Sequence, residues 1–147
     1  MAHYEVTVLS PWTAEKAFSY MMDLEHFADW DPGVTKAKRV SGEAPGLGAA
    51  YEVTVKSVGG EQTLRYETIA IDSPNRIEVR AETNKLISLD IVTVRPDANG
   101  GSRVTYSADL SLKGLLRIGT PVLALMFRGI GDRAAEGLVR VLEGTKA

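Results

Sequence analysis

Cysteine is absent from this chain, and histidine occurs only as His3 and His26. The first absence removes disulfides, thiolate nucleophiles and cysteine metal sites together, and it fits a reducing, cytoplasmic compartment. With two histidines far apart in sequence, a metal site is not expected, nor is a cofactor. Charge of one sign is lacking too. The 17 basic and 19 acidic residues are interspersed for a net charge of -2, which leaves no basic stripe for nucleic acid. No apolar run approaches the ~20 residues that cross a bilayer, since the longest, Pro121 to Phe127, is far too short for stable membrane insertion. The first residues, Met1-Ala2-His3-Tyr4-Glu5, enter a strand pattern directly, without the basic and apolar regions of an export signal.

What remains is the composition of an ordinary folded domain. With 147 residues, 44% of them hydrophobic and 24% charged, the chain is expected to form one domain over residues 1–147, burying about two-thirds of its unfolded surface. Tyr4, Val6 and Val8 alternate with polar residues as one face of a first strand. Ser10-Pro11 offers a helix start, with Thr13 a second cap candidate. Ala14, Ala17, Phe18, Met21 and Met22 then share a helical face, and a second short turn covers Leu24 to Trp30 before Pro32-Gly33 ends it.

Beyond that break the period returns to two over Thr35 to Ser41, Ala50 to Val58, Glu61 to Asp72, Arg76 to Thr83, Leu86 to Arg95 and Ser102 to Leu112. Turn formers punctuate these runs: Pro45-Gly46, Gly59-Gly60, Ser73-Pro74-Asn75, Asn84-Lys85 and Asn99-Gly100-Gly101. The pattern predicts an antiparallel meander joined at one edge by the first strand. Thr120-Pro121 then opens a long amphipathic helix. Its apolar stripe reads Leu123, Met126, Phe127, Ile130, Ala134, Leu138, Val141 and Leu142. Gly129, Gly131 and Gly137 within it either let the helix pass close over the sheet or leave space for a ligand. One helix across a curved sheet cannot fill all the space beneath it, so an internal apolar cavity is expected.

The first strand, the stretch Ser10-Pro11-Trp12-Thr13-Ala14-Glu15-Lys16-Ala17-Phe18, and Phe27-Ala28-Asp29-Trp30-Asp31-Pro32-Gly33-Val34 resemble the START-like (SRPBCC) superfamily. Its polyketide cyclase/dehydrase branch is the most similar. The Gly100-Gly101-Ser102-Arg103-Val104 turn and the final helix follow in family order, so the resemblance spans nearly the whole chain. It implies an α+β helix-grip fold: a seven-stranded curved antiparallel sheet around a long C-terminal helix, with two short helices after strand 1. It also implies a hydrophobic pocket used for lipids, sterols or polyketides, but no universal catalytic constellation.

Strand parity places Tyr51, Val53 and Val55, Leu64 and Tyr66, Ile77, Val79 and Ala81, and Val104, Tyr106, Ala108 and Leu110 on the inner face. Tyr51, Tyr66 and Tyr106 are either core residues satisfied locally or the polar groups that orient a ligand. In the strand Leu86 to Arg95 the apolar set Ile87, Leu89 and Ile91 reads as inward. Asp90 is therefore expected to face solvent, and only a register shift would bring it into the cavity as an acid/base group. His26 has no partners for a triad. Trp30 is expected to cover core and Asp31 to fix the turn before Pro32. Arg65, Arg76, Arg80 and Arg103 should line the solvated face.

The leading expectation is a protein that binds a small hydrophobic molecule in a cavity lined by Phe18, Met22, Tyr51, Val53, Tyr66, Tyr106, Met126, Phe127 and Ile130. The alternatives are a cyclase/dehydrase-type enzyme using pocket tyrosines and Asp90, and a protein-interaction module, with a homodimer allowed. Lys113-Gly114-Leu115-Leu116-Arg117-Ile118-Gly119 reads either as a movable lid or as a connection whose apolar side chains cover core.

Overall fold

A computed structural model describes residues 2–57 and 60–147, the side chains of Ser57, Thr120 and Leu123 excepted. Met1, the expected strand end at Val58 and the turn residue Gly59 lie outside the described residues. So do the cap side chain expected at Thr120 and the stripe side chain at Leu123.

The sheet is antiparallel, in the order β2-β3-β4-β5-β6-β7-β1-β8. Its strands are β1 (Ala2–Ser10), β2 (Val34–Ser41), β3 (Ala50–Ser57), β4 (Gly60–Asp72), β5 (Arg76–Glu82), β6 (Leu86–Pro96), β7 (Ser102–Leu112) and β8 (Thr145–Lys146). Consecutive strands from β2 to β7 pair as hairpins, and β1 closes on β7 with Val6 opposite Tyr106 and Val8 opposite Val104. The eighth strand is an addition to the expected seven. It forms because the chain, after the last helix, returns along β1 and pairs Lys146 and Thr145 with Val8 and Leu9.

Between β1 and β2 lie α1 (Ala14–Met21), a 3₁₀ turn (Leu24–His26) and α2 (Phe27–Trp30). Of the two cap candidates Thr13 is the one used: its hydroxyl accepts from the Lys16 amide at 3.3 Å. Ser10 is buried instead, and its hydroxyl donates to the Leu142 carbonyl at 2.7 Å. Asp31 fixes its turn as expected, accepting from the Gly33 amide at 2.8 Å.

A 3₁₀ segment (Gly114–Gly119) leads into α3 (Thr120–Val141), which has proline in its first turn. The helix runs along β1 and α2, and its buried side chains, Ala134, Ala135, Leu138 and Leu142, all belong to its second half or its end. Among the described side chains, the expected stripe is therefore fully buried only toward its C-terminal end. Met126 is 47% exposed, while Phe127 is partly buried against the core. The lid segment covers no core either, with Leu115 at 87% and Ile118 at 82% exposure. No helix among the described residues is long and apolar enough to cross a membrane.

The helix ends on a Schellman-type turn. Gly144 donates to the Val139 carbonyl at 2.9 Å and Glu143 to that of Arg140 at 3.4 Å, with Glu143 held at φ 56°, a left-handed angle that usually calls for glycine.

Two of the three helix glycines are close-approach sites. A Cβ on Gly137 would overlap the Trp30 carbonyl, and one on Gly131 would overlap the Tyr4 ring. At Gly129 the nearest atom would be Nη1 of Arg133 at 3.8 Å. Gly137→Ala is thus expected to destabilise the fold by about 3 kcal/mol or more, since overpacking against backbone has little room to relax. Gly129→Ala should stabilise by up to about 1 kcal/mol through helix propensity. Urea unfolding of the two variants checks the pair.

Candidate functional site

The inner face of the sheet carries a connected set of polar side chains in an apolar setting. The alternation in β6 is the reverse of that expected: Ser88, Asp90, Val92 and Val94 point inward and are buried, while Ile87, Leu89 and Ile91 are only partly covered on the outer face. No register shift interrupts β6. Its pairing with β7 puts Val94 opposite Val104, Val92 opposite Tyr106 and Asp90 opposite Ala108, all on one face. On the β5 side the outer apolar residues face long polar side chains, Arg80 opposite Leu89 and Glu78 opposite Ile91, whose aliphatic stems are suited to covering apolar neighbours. Asp90 is therefore an inward residue, not a solvent-facing one.

Asp90 is 4% exposed. The Tyr106 hydroxyl donates to its Oδ2 at 2.9 Å, and the Ser88 hydroxyl points at Oδ1 at 3.4 Å. Because Ser88 donates there, its oxygen is left to accept from the Tyr66 hydroxyl, 2.7 Å away. Tyr66, Ser88, Asp90 and Tyr106 thus form one chain of hydroxyls ending on a carboxyl. No cation is among the causes acting on Asp90. Burial outweighs its two hydroxyl donors, and the negative charges of Asp31 and Asp109 add to it, so its pKa rises to about 7. Burial and the Asp90 charge likewise push both tyrosines well above 10. Asp31, 8% exposed, is raised mainly by burial, against the Gly33 amide and the charge of Arg133.

A narrow space of about 20 Å³ adjoins this chain, room for about one water molecule. Met21, Leu24, Phe27 and Trp30 border it on the helical side, with Asp23; Ile77, Val79 and Val92 border it on the sheet side, with Asp90 and Tyr106. The aromatic wall is ordered by ring contacts: Phe27 stacks on Trp30 at 4.7 Å, Trp30 meets Tyr106 edge-on at 5.1 Å and Phe27 approaches Tyr66 at 6.3 Å.

Of the nine residues expected to line a cavity, Tyr106 alone borders this space. Phe18, Tyr51, Val53 and Tyr66 are core residues beside it, and Met22 packs at the margin of that core. Met126, Phe127 and Ile130 do not border it, because its helical wall comes from α1, the 3₁₀ turn and α2. Tyr51 lies beside the 3₁₀ turn, where burial, with the Asp23 charge second, lifts its pKa to about 12. His26 is structural: its Nδ1 is 2.9 Å from the Tyr20 carbonyl and its ring stacks on Tyr20. Among the described residues no three histidine, aspartate or glutamate side chains converge as metal ligands.

The buried carboxyl has a thermodynamic signature. Its unfolded pKa is 3.8 and its folded pKa about 7. Between those values the folded chain holds a proton that the unfolded chain lacks, so stability falls as pH rises from about 4 to about 7 and then levels off. Asp90→Asn removes this contribution. The variant should gain on the wild type between pH 5 and pH 8 by on the order of 2–3 kcal/mol, read from urea midpoints; parallel pH profiles would place the titration elsewhere.

The fold and the site can be set against known proteins. Residues 1–143 match the family model described as polyketide cyclase / dehydrase and lipid transport. No curated protein matches the chain. A START superfamily protein from Mycobacterium smegmatis superposes with a TM-score of 0.78 at 14% identity, covering 97% of this chain and 98% of that one. A protein from Thermus thermophilus gives 0.74 at 17% identity, over 96% and 94%. The Zhui aromatase/cyclase from Streptomyces sp. R1128 gives 0.73 at 16% identity, over 95% and 90%. At these identities the likeness is one of fold, the helix-grip arrangement. The match over residues 1–143 carries the assignment: the chain belongs to the polyketide cyclase/dehydrase and lipid transport family.

Proposed function

We propose that the protein binds a small hydrophobic molecule between the α1–α2 segment and strands β5 to β7, held at its polar end by Asp90 and Tyr106. The carrying observation is a carboxyl, buried without a cation, at the edge of an otherwise apolar and aromatic space. Sites of this kind bind by apolar contact and orient by a few polar groups. The space has room for about one water molecule, so a ligand enters by displacing the side chains of the short helical segment, Leu24 and Phe27 first. That segment consists of a 3₁₀ turn and one helical turn, a low-stability element suited to moving.

A second reading is favoured by one observation. A carboxyl with a pKa near 7, hydrogen-bonded to a phenol, is poised for proton transfer. In this reading the protein is a cyclase or dehydrase, the type of activity named for the family and for the Streptomyces neighbour. Asp90 then moves the proton and Tyr106 polarises a carbonyl.

Native mass spectrometry of the purified protein identifies a retained ligand, and titration calorimetry with that ligand tests the site. Tyr106→Phe is expected to weaken binding about tenfold, the loss of one hydrogen bond at a buried carboxyl. Met126→Ala, on the exposed part of α3, should leave affinity unchanged. If Met126→Ala weakens binding and Tyr106→Phe does not, the ligand lies under α3 instead. In the enzymatic reading Asp90→Asn lowers turnover by about 10²–10⁴ while the ligand still binds.

A further inference from the structure

The first half of α3 and the 3₁₀ segment before it show an apolar surface that the fold does not use. Leu115, Ile118, Val122 and Leu125 are 87%, 82%, 63% and 72% exposed, and Met126 47%. Along α3, positions 122, 126, 129, 133, 136 and 140 follow one another at spacings of three and four, so they form one row on the helix surface. The buried Ala134 and Leu138 belong to the other side. The row is apolar at Val122 and Met126, passes Gly129, and becomes charged at Arg133, Glu136 and Arg140. Solvation alone would keep it polar throughout. Monomeric soluble proteins rarely leave a contiguous apolar patch of this kind uncovered.

The charge around the patch is one-sided. From Leu110 to Gly131 there is no acidic residue, while Lys113, Arg117 and Arg128 are basic, in a chain whose net charge is -2. Glu82 engages Lys113. Arg117 and Arg128 are exposed and have no ion-pair partner among the described residues. A second copy of the chain docking on this patch about a two-fold axis would bring the same basic groups together. An acidic, apolar plane satisfies both components at once.

We propose that residues 114–128 form a docking surface for an anionic lipid bilayer. Leu115, Ile118, Val122 and Leu125 enter the interfacial region while Arg117 and Arg128 stay at the headgroups. The segment lies in the interface and does not span it, the arrangement in which apolar burial and attraction to anionic lipid add. The surface is separate from the Asp90 space and does not depend on what that space holds.

Vesicle flotation with the full chain tests this, using phosphatidylcholine alone and phosphatidylcholine mixed with phosphatidylglycerol. The wild type is expected on the anionic vesicles and not on the neutral ones. Arg117→Gln with Arg128→Gln should lower partition roughly 30-fold, about fivefold for each basic residue near such a surface. Ile118→Glu with Leu125→Glu should abolish it. All four positions are exposed, so these variants keep the wild-type circular dichroism. The proposal is overturned if the wild type fails to bind anionic vesicles or binds both vesicles equally. It is overturned too if the charge variants bind like wild type, or if sedimentation shows a dimer that the Ile118→Glu, Leu125→Glu variant disperses.

Discussion

The contact of the Gly137 backbone with the Trp30 carbonyl sets the position of everything between α3 and the inner face of the sheet. With no Cβ at 137, α3 lies directly on α2, and the Arg140 guanidinium reinforces the contact by donating to the Asp29 carbonyl at 2.8 Å. That seating fixes the Trp30 ring edge-on to Tyr106, whose hydroxyl reaches Asp90. A backbone contact on one element thus determines the surroundings of a carboxyl on another, through two aromatic side chains. The short length of α2, four residues, means that it has little intrinsic helical stability of its own and depends on this packing.

Asp90 is an unfavourable residue to place where it is. A valine there would continue the apolar run of Val92 and Val94, whereas a carboxyl loses its hydration on burial and recovers only part of it from two hydroxyls. The chain relieves the problem with a proton instead of a counter-charge. Placing Ser88 next to it, to link Tyr66 across the intervening β5, extends the polar set to four side chains on β4, β6 and β7. A polar chain in a core that volume alone could have filled with aliphatic residues is the kind of local departure from folding rules that functional sites show.

Much of this fold is legible in the sequence because strand alternation and turn chemistry agree with each other. The meander, the one-helix C-terminus and the inner set Tyr51, Tyr66, Val79 and Tyr106 all follow from period-two patterning with clear breaks. In β6 hydrophobicity gives the wrong parity. Ile87, Leu89 and Ile91 are more apolar than Ser88 and Asp90, yet the latter are inward. Register is the better guide. Pro96 pairs with Ser102 across a five-residue connection, so inward Val104, Tyr106 and Ala108 require inward Val94, Val92 and Asp90. The location of the free space is not legible at all. It depends on how far α3 extends over the sheet, and the stripe from Met126 to Leu142 does not show that only its C-terminal half is buried. Phe27 and Trp30 carry a usable signal, two aromatics three apart just before a proline, but the same pattern fits simple core cover.

The pairing of β1 with both β7 and β8 has a consequence for how the molecule assembles. β2 through β7 are joined by hairpins and can form from neighbours in sequence. β1 must find partners about a hundred residues away, Ala2 opposite Leu110 among them. Loop-closure entropy opposes such long-range pairings until the partner is ready. Closing the sheet on β1, which brings α1 and α2 with it, is therefore the entropically costly part of this topology. A sheet without those helices leaves Asp90 open to water on its inner face. Covering that carboxyl, on a strand that takes no part in the long-range pairing, and closing the sheet are thus coupled through one segment of chain.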